Sequence, residues 1–167
     1  MCLVGFMGAG KTSVGHALSL RLGWPFEDLD DRIEAQEGRS IAEIFRDSGE
    51  EAFRHAETAA LREVLAAAGS APRILALGGG AIAQAENARF LQQSGATVVF
   101  LDAPIEELFR RCEQEPRSRP LRRDLRQFRE LYDQRRPFYA TARCCIDTNG
   151  KDLETVAAEV ACSLGLA

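Results

Sequence analysis

The chain reads as an α/β protein built on a parallel sheet, and three observations lead there. Short β-like runs alternate with longer amphipathic segments from one end to the other. A stretch rich in glycine joins the first run to the first helical segment, and no repeat, low-complexity tract or linker interrupts the alternation. Such a pattern buries strands between helices on both faces of a sheet. With 167 residues, 46% hydrophobic and 28% charged, the chain suits one domain with an adequate core.

Strands are expected over residues 2–5, 26–29, 74–77, 97–101 and 143–146, where the chain turns briefly apolar or β-branched. Between them, residues 12–22, 50–68, 85–93, 104–111, 125–135 and 153–164 carry helical spacing or strong helix formers. Ser40-Ile41-Ala42-Glu43 fits a capping box for a further short helix running to about residue 47, and Gly69 suits a helix C-terminus. Residues 113–123 hold Pro116, Pro120 and crowded arginines, and are expected to form a long mobile loop.

Composition narrows the function. The longest strongly apolar stretches are about five residues, against the roughly 20 that cross a bilayer, so no membrane partner is expected. No export signal is read at the start, and Cys2, Cys112, Cys144, Cys145 and Cys162 lack metal-ligand spacing. They read as reduced thiols of a cytoplasmic protein. Net charge is −4, but residues 110–143 hold 11 arginines against five acids, a local +6 that leaves −10 elsewhere. That segment lacks interleaved aromatics and belongs to an acidic chain, so nucleic acid is not the expected partner. Arginine supplies 19 of the 21 basic residues; Lys11 and Lys151 are the two lysines.

Gly5-Phe6-Met7-Gly8-Ala9-Gly10-Lys11-Thr12 satisfies G-x-x-x-x-G-K-[ST] between an expected strand and an expected helix. Glycines let backbone N–H groups turn in around phosphate oxygens, and the helix N-terminus adds positive potential. Gly8, Ala9, Gly10, Lys11, Thr12 and Ser13 are the candidate nucleotide contacts, with Lys11 on the β/γ-phosphates and Thr12 on Mg²⁺. A guanine reader of Asn-Lys-x-Asp form is not found; Asn149-Gly150-Lys151-Asp152 has the wrong spacing.

Two more clusters belong at the carboxyl ends of strands, where α/β sheets bind ligands. In Asp28-Leu29-Asp30, strand alternation is expected to aim both carboxylates into the crevice, one toward Mg²⁺ and one toward an acceptor hydroxyl. An acidic helix start is the alternative. Gly78-Gly79-Gly80, closing a buried strand, offers backbone that a ligand can approach closely.

With the arginines added, the sequence resembles the shikimate kinase family nearly end to end. The motifs run in order: Gly5 to Thr12; Asp28-x-Asp30 with Ile33-Glu34; Gly38-Arg39-Ser40-Ile41-x-x-Ile44-Phe45; Phe53-Arg54-x-x-Glu57; Gly78-Gly79-Gly80; Arg119-Pro120-Leu121; Arg135-x-Pro137-x-Tyr139. The resemblance implies a single P-loop kinase domain over residues 1–167, a three-layer sandwich whose five parallel strands lie in the order 2-3-1-4-5. It implies a substrate-binding helical region at about 31–61 and a lid at about 112–123. It implies phosphorylation of the 3-hydroxyl of shikimate by ATP with Mg²⁺, in the pathway to chorismate and aromatic amino acids, by a monomer.

Residue by residue, the resemblance makes Asp30, Arg54 and Arg135 the shikimate set, with backbone contact from Gly78, Gly79 and Gly80. Thr12 and Asp28 hold the metal, Glu57 fixes Arg54, and Arg119 closes over the transferring phosphate beside Lys11. Arg111 stacks on adenine, and Leu153 stands near the place where the family often has a proline. Asp30 either takes the hydroxyl proton or only orients the hydroxyl. Another small-metabolite kinase, such as a gluconate-type enzyme, is the alternative, although it has no need of Asp28, Asp30, Arg54, the glycines and Arg135 together.

Overall fold

The structure, a computed structural model, describes residues 1–67, 71–114 and 124–166. Strands β1 (Cys2–Val4), β2 (Phe26–Asp28), β3 (Ile74–Ala76), β4 (Val98–Asp102) and β5 (Cys144–Asp147) form one parallel sheet. Their order is β2-β3-β1-β4-β5, as the resemblance implied. Helices α1 (Lys11–Leu22), α2 (Leu29–Glu37), α3 (Ile41–Ala67), α4 (Ala85–Gln93), α5 (Ile105–Gln114), α6 (Leu125–Tyr139) and α7 (Leu153–Ser163) surround it.

Every residue of β1 and β3 is buried, and so are Val99, Phe100 and Leu101 of β4. Successive strand side chains point to opposite faces, so continuous burial means that both faces of the central sheet are covered. Helix α1 packs on α7, α3 on α2 and α4, and α5 on α6. A methyl group on Gly15 would stand 2.1 Å from the Phe26 ring, so the missing side chain lets α1 approach β2.

The expected strand over 26–29 stops at Asp28, and α2 begins at once. Asp28 caps that helix, its Oδ1 accepting from the Asp30 amide at 3.0 Å, which satisfies one of the orphan donors of the first turn. The period-two reading of Asp28 and Asp30 therefore fails: one ends a strand and the other lies in the first turn of a helix. The capping box is present, with Glu43 Oε2 accepting from the Ser40 amide at 2.7 Å and Ser40 Oγ from the Glu43 amide at 3.3 Å. The two helices expected after it meet at Gly49, whose φ of 82° and ψ of 175° break the helical path within α3.

Helix α5 outruns the expected 104–111. Cys112 is buried on its inner face, so residues 112–114 are helix rather than lid. Helix α6 outruns 125–135 and carries Pro137 in its last turn, where proline forfeits its own N–H bond while Arg136 O still accepts from Ala140 N at 3.0 Å. Gly69, the rest of the lid and Arg119 lie outside the described residues.

Candidate active site

The glycine-rich loop follows β1 and delivers the chain to α1. Gly5 (φ 153°) and Gly8 (φ 78°) hold backbone angles unsuited to side chains. A Cβ on either would stand 2.4 Å from a carbonyl oxygen, of Leu101 or Leu108 respectively. Lys11 is the first residue of α1 and is buried, its Nζ donating to Gly5 O at 3.0 Å and Phe6 O at 3.2 Å. The ammonium thus sits inside the loop that cradles phosphate. Thr12 Oγ1 donates to Asp28 Oδ2 at 2.6 Å. A hydroxyl and a carboxylate so placed fit a hard divalent cation that completes its shell with phosphate and water oxygens. Among the described residues no group of three or more His, Cys, Asp or Glu could hold a metal.

From the loop, a cavity of about 430 Å³ runs between α2, α3, α6 and the end of β3, lined by Lys11, Thr12, Asp28, Asp30, Arg54, Glu57, Gly78, Gly79, Gly80 and Arg135. The structure thus brings the expected acceptor set together from four elements. Arg54 Nη1 donates to Glu57 Oε2 at 2.8 Å and Nη2 to Glu50 Oε1 at 3.1 Å. Glu57 is 1% exposed; burial pushes its pKa up, and the Arg54 charge opposes that rise. Burial pulls Arg54 down, but its two carboxylates more than offset the pull. Arg135 is also buried and is held below the ordinary arginine range, first by burial, with the Arg54 charge adding to the effect. Among the described residues no carboxylate pairs with it, so the pocket keeps positive charge for an anion.

The glycine triplet is small for a reason. A Cβ on Gly78 would lie 2.8 Å from Glu57 Oε1 and 2.9 Å from Asp30 Oδ1, and one on Gly80 2.8 Å from Arg54 Nη2. The side chains that form the pocket are seated against this backbone. Of the two histidines, His16 is exposed with its ring edge-on to Phe26, and His55 is exposed on the outer side of α3. Trp24 packs against the core.

A second cavity, of about 390 Å³, lies on the other side of the loop, lined by Ala9, Gly10, Ser13, Arg111 and Leu153 among others. It suits the base end of the nucleotide. Arg111 is held by Glu107 Oε1 at 2.7 Å and by Thr148 through Oγ1 at 2.9 Å and O at 3.0 Å. Thr148, 4% exposed, went unread in the sequence. The signal available was a small hydroxyl residue at the end of the last strand, too common to single out. Glu34 was quoted within a motif but given no role; it lines the acceptor cavity and accepts from the Ile41 amide at 3.0 Å, joining α2 to α3.

A parallel sheet, a phosphate loop between β1 and α1, a buried lysine in that loop and a hydroxyl–carboxylate pair beside it define a P-loop phosphotransferase, with its acceptor pocket next to the phosphates. The family model for shikimate kinase matches residues 7–164. The shikimate kinase of Symbiobacterium thermophilum is 44% identical over 166 residues, covering 95% of this chain and 91% of that protein. That of Persephonella marina is 39% identical over 158 residues, covering 95% and 94%. A solved shikimate kinase from Acinetobacter baumannii, in complex with shikimate, superposes with a TM-score of 0.89 at 37% identity, covering 98% of this chain and 92% of that one. The chain belongs to the shikimate kinase family. It is a kinase that uses ATP with a divalent metal.

Proposed function

We propose that the chain transfers the γ-phosphoryl group of ATP to the 3-hydroxyl of shikimate, with Asp30, Arg54 and Arg135 holding the acceptor. The observation that carries this assignment is the meeting of buried Arg135, half-buried Arg54 and Asp30 in a single cavity that opens onto Lys11 and Thr12. Shikimate offers a carboxylate, which suits the planar fork of guanidinium, and vicinal hydroxyls, which suit a carboxylate acceptor. Arg135, without a carboxylate partner among the described residues, and Arg54 clamp the acid group. Asp30 receives the hydroxyl, and the Gly79 and Gly80 backbone lies along the ring.

The metal in this reading is Mg²⁺, held by Thr12 and Asp28. An ion held there would supply positive charge against that of the phosphates. Lys11 exchanges its loop carbonyls for phosphate oxygens, while Arg111 and Leu153 flank the base. Arg119 stabilises the charge spreading over the transferring group, a role that rests on sequence resemblance. Since phosphoryl transfer asks little covalent chemistry of the protein, positioning and charge carry catalysis, and Asp30 acts chiefly by orienting the hydroxyl. The proposed working unit is a cytoplasmic monomer. The test is ADP release with shikimate, with gluconate and with neither. Shikimate-dependent release alone supports the assignment; equal release with gluconate overturns it.

A further inference from the structure

Tyr139 heads the fully buried side chains by volume, and the reaction as read above gives it no task. Its ring is stacked on Phe100, with centroids 5.2 Å apart and planes 29° from parallel. The hydroxyl meets two groups that line the acceptor pocket. It donates to the carbonyl of Gly79, 60 residues away in sequence, and its oxygen lies beside Arg135, one helical turn earlier on α6. A phenol has one proton, so once that proton is given to Gly79 O, the oxygen is left as an acceptor beside Arg135. Burial raises the phenol's pKa well above its ordinary value, so the group stays neutral and keeps that proton. A Cβ on Gly79 would stand 3.7 Å from Arg135 Nη1 and 3.8 Å from Tyr139 Oη, so the three groups meet at one point.

We infer that Tyr139 is a positioning residue for the acceptor: its hydroxyl ties the Arg135 guanidinium to the Gly79 peptide and so sets the distance between the carboxylate clamp and the backbone along the substrate ring. The inference rests on the reading of Arg135 as that clamp. An arginine carries large rotamer entropy, and without an ion pair its aim depends on such neutral contacts. Another neighbour of the Arg135 guanidinium is the Phe6 ring, 5.9 Å from Cζ, which draws the charge but leaves it free to rotate. The phenol oxygen adds a directional acceptor.

Tyr139→Phe in the full chain removes the hydroxyl and keeps the ring on Phe100. With both substrates varied, the shikimate KM is expected to rise about fivefold to tenfold, the range for losing one neutral hydrogen bond, while the ATP KM stays within about twofold. A structural defect alone would lower the thermal midpoint and the active fraction without separating the two KM values. An unchanged shikimate KM, or an equal rise in both, overturns the inference. Arg135→Ala and the double variant complete a cycle. If Tyr139 works through Arg135, adding Tyr139→Phe to Arg135→Ala changes the shikimate KM little; losses that multiply overturn the inference. Should Arg135→Ala itself leave the shikimate KM unchanged, the clamp assignment falls. Should Arg135→Ala raise it and Tyr139→Phe do nothing, only the role of Tyr139 falls.

Discussion

The two halves of the active site are built from different material. The nucleotide half is one continuous stretch, residues 5–13, whose shape lies in backbone angles at Gly5, Gly8 and Gly10. The acceptor half is assembled from side chains on α2, α3 and α6 seated against Gly78, Gly79 and Gly80, and buried ion pairing and hydrogen bonds hold it in shape. A backbone-built site binds a feature common to many substrates, here phosphate. A side-chain-built site carries discrimination, and each of its members can fail separately.

The largest effect is expected where the nucleotide half depends on one side chain. Lys11→Ala removes the ammonium from the phosphate loop, and turnover is expected to fall below detection while the thermal midpoint shows a folded protein. Near-normal activity would remove Lys11 from the phosphates. In the acceptor half, Asp30→Asn keeps the shape and removes the charge proposed to receive the hydroxyl. It should cut kcat roughly 10²-fold, the scale of a misplaced reacting group. Unchanged kinetics with shikimate would take Asp30 out of the site.

Gly80→Ala tests whether the acceptor half is a fitted assembly. Its φ of −110° tolerates alanine, so the backbone is not strained; the obstacle is the new Cβ, 2.8 Å from Arg54 Nη2. Arg54 has little room to yield, since Glu57 and Glu50 hold it on two sides. The shikimate KM is expected to rise about tenfold, the scale of a displaced positioning group, with the ATP KM unaltered. Equal kinetics in variant and parent would mean that Arg54 moves freely and the pocket is loose.

The same contrast decided what could be read from sequence. The phosphate loop was legible residue by residue because its partners are its neighbours. The alternation of strands and helices was legible too, yet the strand order came from resemblance, since nothing local in Cys2-Leu3-Val4 says that β3 and β4 flank it. Helix α2 was only half read: it is short, mostly polar and buries only Leu29 and Ile33, so its periodicity is faint and strand alternation was carried one step too far, to Asp30. Glu57 could be paired with Arg54 because the two lie one helical turn apart. Tyr139 and Thr148 could not be assigned, since Gly79 lies 60 residues from the first and Arg111 37 from the second.

The smallest effect is expected at Glu107, on the rim of the base cavity. Its carboxylate takes Arg110 Nη2 and Arg111 Nε, each at 2.7 Å, and these bonds, that of Arg110 foremost, hold its pKa down from the usual 4.5 to about 2. Both Arg110 and Arg111 keep solvent contact, so screening limits what the pairs contribute. Arg111 also has Thr148, so Glu107→Gln leaves it partly anchored beside the base; the ATP KM should rise about twofold to threefold and the shikimate KM should not change. The sign of the pH dependence follows from the lowered pKa. A carboxylate that binds its proton less readily folded than unfolded stabilises the fold above the unfolded pKa and loses that contribution as pH falls toward the folded value. The difference in thermal midpoint between parent and Glu107→Gln should therefore be constant above about pH 5 and should shrink between pH 4.5 and about 2. A difference that persists to pH 2, or an effect on shikimate equal to that on ATP, would show that Glu107 serves the general fold and has no particular tie to the base cavity.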